Sequence, residues 1–205
     1  MRLLYNPGVD TMASMAEENP TRSASRYETF IATFVALLAV SVAGYTAYMQ
    51  RQQVRAAVWP ILEFDSSNGP IQFTLANKGV GPAIIKHVIV RVDDKPVKNW
   101  AEVLEKILGP GYHPGAESDM SGRVFAAGES MNVFTPHDDT QNPIAFDKSN
   151  PIWEKLNAGR KHVTVEICYS STLGECWTLH GGVTAPSTTT PTRQCPTPSE
   201  LTFQQ

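Results

Sequence analysis

Residues 29–50, TFIATFVALLAVSVAGYTAYMQ, carry no charge, with Glu28 on one side and Arg51 on the other. A hydrocarbon core of about 30 Å takes roughly 20 apolar residues to cross as a helix. No other stretch of the chain meets that length. Its reading decides the architecture: a bilayer-anchored chain carrying one soluble domain. A cleaved signal peptide is the competing reading, with Ser41-Val42-Ala43 as a small-residue cleavage site. Against it stand the acidic residues Asp10, Glu17, Glu18 and Glu28 before the apolar run, and Arg51 and Arg55 as a stop after it. With Met12 or Met15 as the start, the leading segment shortens and the signal reading gains.

The span has internal pattern. Tyr27 and Phe30 bracket one end, Tyr45 and Tyr48 the other, and amphipathic rings suit the headgroup level. Ala32, Ala36, Ala39 and Ala43 recur at a 3.5-residue period, a seam narrow enough for close approach of a second helix in lipid. The expected partners are therefore the bilayer and, through this seam, a second copy or another membrane protein. Orientation is a tie: Arg22 and Arg26 precede the run, and Arg51 and Arg55 follow it. The helix is expected to continue as a stalk until Pro60, since the residue before a proline avoids helical geometry.

Four segments follow from composition. Residues 1–27 are polar and irregular. Residues 28–57 form the transmembrane helix with its stalk. Residues 58–183 form a β-rich domain, and 184–205 a Thr/Pro-rich tail that lacks the apolar residues of a core. A domain of this size closes its own core without a metal.

Period-2 alternation marks the strands. Ile71, Phe73 and Leu75 alternate with Gln72 and Thr74; Val88, Val90 and Val92 alternate with Ile89 and Arg91. The same pattern recurs at Met131 and Val133, from Val163 to Tyr169, and at Trp177 and Leu179, with short strands at 61–64 and 97–98. Two helices interrupt them. Trp100, Val103, Leu104, Ile107 and Leu108 form one apolar stripe behind Asn99 as N-cap. Asn150 and Pro151 open a second, weaker helix with Ile152, Trp153 and Leu156 inward. The expected fold is one N-terminal transmembrane helix followed by a mainly-β, antiparallel, sandwich-like domain with two short helices.

Chemistry is sparse. The net charge of −3 gives no reason to expect nucleic acid. No CxxC, HExxH, Walker-type loop or GxGxxG occurs, so no metal or cofactor is called for. Of the three cysteines, Cys168 and Cys176 fall on one face of adjacent strands. A hairpin centred on Thr172 would set them opposite each other as a disulfide, leaving Cys195 over. Such a bridge persists only in an oxidising compartment. His137, Asp138 and Asp139 form one tight polar cluster, a weak divalent-ion candidate beside the plain reading of a solvated turn. Trp59 is either a membrane-interface residue or part of the core.

The stretches QRQQVRAAVWPIL, NKGVGPAIIKHVIV and ICYSSTLGECW together resemble a group of uncharacterised bacterial single-pass membrane proteins with a β-rich C-terminal domain. The resemblance spans roughly residues 45–180. It implies a bacterial envelope protein, and no functional residue; with the disulfide reading, the expected location is the inner membrane with a periplasmic domain. The leading expectation is a non-catalytic binding or complex-subunit module. The alternative is a membrane-tethered enzyme with a metal or His/Asp site in the 109–148 loops, using His113, His137, Asp138 or Asp139.

Overall fold

The computed structural model describes residues 26–112, 114–137, 142–196 and 202–204. A continuous helix, α1, runs Arg26–Ala57. Glu28 in its first turn and Arg55 in its last complement the helix dipole. The hydroxyls of Thr33, Ser41 and Thr46 donate to the carbonyls of Thr29, Leu37 and Val42, which satisfies them without water. The helix is long and apolar enough to cross a membrane, and none of its most apolar window is buried by the protein.

Residues 49–205 form a separate compact unit of two antiparallel sheets. The first has the order β1-β2-β7-β5, from Leu62–Asn68, Ile71–Asn77, Ser130–Thr135 and Ala116–Glu117. The second has the order β10-β9-β8-β3-β4, from Thr188–Thr192, Cys176–Gly182, Val163–Ser170, Ala83–Val92 and Lys95–Val97. A short β6, Val124–Phe125, pairs with the start of β3. The sheets bury one shared core: Phe64, Phe73 and Leu75 from the first, Val88, Val90, Val165, Ile167 and Leu179 from the second. The alternating residues identified above are the ones that point inward.

The helices form where their caps dictate. The Asn99 side chain accepts from the Glu102 N–H and opens α2, Trp100–Leu108. The Glu102 carboxylate reaches back to the Lys98 N–H at 2.8 Å, one residue earlier than a standard capping box. Asn150 accepts from Ile152 and Trp153 and opens α3, Pro151–Gly159. A Cβ on Gly159 would lie 2.3 Å from the Ile107 side chain, so glycine lets α3 close on α2. Behind α3, the buried Arg160 donates to Ser66 Oγ at 2.8 Å and to the Ser67 carbonyl at 2.9 Å. Loss of water lowers its pKa, opposed by the Asp65 charge.

The C-terminal segment departs from the expected irregular tail. Residues 188–192 form β10 on the free edge of β9, pairing Thr190 with Thr178 and Thr192 with Cys176. Threonine favours extended backbone, and proline is tolerated on an edge strand, so TTTPT suits an edge. Further on, Phe203 donates its N–H to the Val88 carbonyl at 2.8 Å and buries its ring in the core. It takes the part of the β3 edge that β6 and β4 leave unpaired.

Candidate functional site

The loop 77–81 holds the exit from α1. Asn77 is fully buried. Its Oδ1 accepts from the N–H of Ile61 at 3.2 Å and of Gly79 at 3.0 Å. Its Nδ2 donates to the carbonyls of Gly81 at 2.8 Å and Phe125 at 3.2 Å. Val80 N–H donates to the Trp59 carbonyl at 3.0 Å. A Cβ on Gly79 would lie 2.4 Å from the Trp59 oxygen, and one on Gly81 2.1 Å from the Val58 oxygen. The glycines are there for close backbone approach, which the sequence motif alone could not distinguish from turn geometry.

Beside this exit lies a cleft of about 520 Å³, within the unit that starts at Met49. The Trp177 ring stacks on buried Tyr169 at 5.9 Å and forms one wall with half-exposed Trp59. Burial raises the pKa of the Tyr169 phenol behind this wall. Arg55, Glu175 and Arg193 supply charge. Arg55 Nε meets Glu175 Oε1 at 3.0 Å, while Arg193, exposed beyond β10, has no ion pair among the described residues. A smaller cleft of about 280 Å³ adds Arg51, Val54 and Leu173. Arg193 and Trp177 were not legible as site residues: the first sat in a stretch read as low-complexity, the second read only as a strand position.

The cysteine pairing corrects the expectation. Cys168 is bonded to Cys195, with Cα atoms 5.6 Å apart, and Cys176 is the free thiol. The hairpin pairs Ser170 with Cys176 and Cys168 with Thr178. It is therefore centred on Leu173 rather than Thr172. That one-residue shift moves Cys176 two positions from Cys168 along the partner strand. Cys195 reaches Cys168 because β10 carries the chain back along β9.

The remaining candidates are dispersed. His137 is half-buried and bridges to Pro143, and its ring occupies the space a Cβ on Gly115 would need. Asp138, Asp139 and His113 lie outside the described residues. Among the described residues no group of three or more His, Cys, Asp or Glu side chains is placed to hold a metal. His162 pairs with Asp93 at 2.8 Å on the surface, at the β3–β4 turn. His180 sits opposite Glu166, four residues from Cys176 along an extended strand, roughly 13 Å away. His87 is buried on the outer face of β3, opposite Cys168. Ala32, Ala36, Ala39 and Ala43 all lie exposed on α1.

The chain matches no protein-family model, no curated protein and no solved structure.

Proposed function

We propose that this protein is a single-pass, membrane-anchored module of the bacterial envelope whose β-domain binds a protein or envelope component without catalysis. The observation that carries the reading is α1, long and apolar enough to cross a membrane and with its most apolar stretch not buried by the protein. An apolar helix left uncovered by its own protein needs lipid or a partner helix. The alanine seam on α1 supports self-association or a partner helix as the second contact. The Cys168–Cys195 bridge supports an oxidising location for the domain, and hence the periplasm over the cytoplasm. The enzyme alternative rests on His113, His137, Asp138 and Asp139, of which His137 alone lies among the described residues.

A fusion of full-length protein to alkaline phosphatase at the C-terminus tests the compartment. Alkaline phosphatase folds only where its own disulfides form. An active fusion is expected. A fusion that is stably expressed and inserted in the membrane yet silent would place the domain in the cytoplasm and overturn this reading.

A further inference from the structure

We propose that the cleft lined by Trp59, Trp177 and Arg193 binds an acidic saccharide, a chain of pyranose rings that carry carboxylates. The two indoles take the apolar faces of the rings, and Arg193 takes a carboxylate. The inference rests on the binding-module reading and names the chemical class of that module's ligand.

Its first support is ring surface held open. Trp59, Trp177 and Pro191 line the cleft, and every lining residue belongs to the unit that starts at Met49. Trp177 is fixed by its stack on Tyr169, and Pro191 lies opposite it in the β9–β10 register. The Trp59 carbonyl accepts from the Val80 N–H at 3.0 Å and the Gly81 N–H at 3.2 Å, yet the residue is 52% exposed. A large ring on a fixed backbone and left uncovered costs little ordering when a ligand covers it. The negative face of an indole attracts the polarised C–H bonds on the flat side of a pyranose.

The second support is the polar set between the rings. Gln52, Glu175 and Thr192 line the same cleft. An amide and a hydroxyl each donate and accept, and a carboxylate accepts. A sugar hydroxyl also does both, so it can pair with any of the three. A hydrocarbon or a plain aromatic ligand would strip these groups of water and leave them unpaired. The volume, about 520 Å³, lies in the range of small-molecule sites.

The third support is charge. Arg55 and Arg193 line the cleft against the single carboxylate of Glu175. Glu175 engages Arg55 at 3.0 Å, and Arg193 has no ion pair among the described residues. The cleft therefore keeps one positive charge. A guanidinium binds a carboxylate through two parallel hydrogen bonds, so an acid group on the sugar completes the set. A neutral sugar leaves Arg193 unmatched.

The test titrates full-length protein in detergent with tetramannuronate at constant ionic strength and follows tryptophan fluorescence. Trp100 and Trp153 are buried in the core, so a change reports on Trp59 and Trp177. A saturable change is expected. Mannotetraose, which has a hydroxymethyl group in place of each carboxylate, should bind at least about tenfold more weakly. Arg193→Glu should erase that preference. Trp59→Ala, a change at an exposed side chain, should weaken tetramannuronate at least about tenfold. No saturable change, equal binding of the two sugars, or affinity unaltered in Trp59→Ala would overturn the proposal. Equal binding of tetraglutamate would make the cleft a carboxylate site without sugar recognition and overturn it as well. The binding-module reading fails separately: a silent phosphatase fusion removes the envelope placement and leaves the titration standing, while a flat titration beside an active fusion removes the saccharide alone.

Discussion

Trp100→Ala is expected to cost the β-domain about 3–5 kcal/mol, the range for truncating a fully buried large aromatic side chain. The indole sits at the start of α2 with no exposed surface. It stacks on Phe134 at 4.6 Å and 6°, stacks on Phe73 at 5.6 Å, and takes the edge of Phe203 at 5.1 Å. One residue therefore joins a helix, two strands of the first sheet and the C-terminal segment. Its removal leaves a cavity that four separate elements would have to close at once. Trp100→Phe keeps a ring in the stack, and the indole N–H has no acceptor among the described residues. That variant should recover most of the loss, at a cost under about 2 kcal/mol. Denaturant unfolding of the detergent-solubilised protein, followed by near-UV circular dichroism, measures both. A typical domain has about 5–15 kcal/mol in total, so the alanine variant should unfold at a much lower midpoint.

Cys195→Ser is expected to cost about 3–4 kcal/mol through the larger unfolded-state entropy of an uncrosslinked loop, given a separation of 27 residues. Cys168→Ser should match it. Cys176→Ser should be nearly silent, since that thiol is unbonded and half-exposed at the hairpin. Unfolding midpoints rank the three variants. Peptide mapping without reductant identifies the pairing directly. A fragment joining Cys168 to Cys195 is expected; one joining Cys168 to Cys176 would return the hairpin to a Thr172 centre and contradict the register.

Much of this architecture was legible in the chain because it rests on local rules. The uncharged run became α1, and the period-2 stretches became β2, β3, β7, β8 and β9. Asn99 and Asn150 cap the helices they were expected to cap. What escaped depends on contacts between distant residues. The partner of Cys168 turned on a one-residue difference in where a hairpin is centred, and composition cannot fix that. The TTTPT segment has no apolar alternation to betray it, because an edge strand on the solvent side has no core face to bury. Phe203 is a single aromatic in a polar ending, and only the unpaired stretch of the β3 edge explains its burial. The cleft escaped for the same reason: Arg55, Glu175 and Arg193 are far apart in the chain and meet only where the end of α1 passes the β9–β10 edge.

The measurement closest to the central claim is alkaline extraction of membranes from cells producing the full chain, followed by intact mass of the recovered protein. The protein is expected to stay in the pellet, dissolve only with detergent, and retain the whole of residues 29–50. Protein released into the alkaline supernatant, or trimmed just after Ala43, would contradict it.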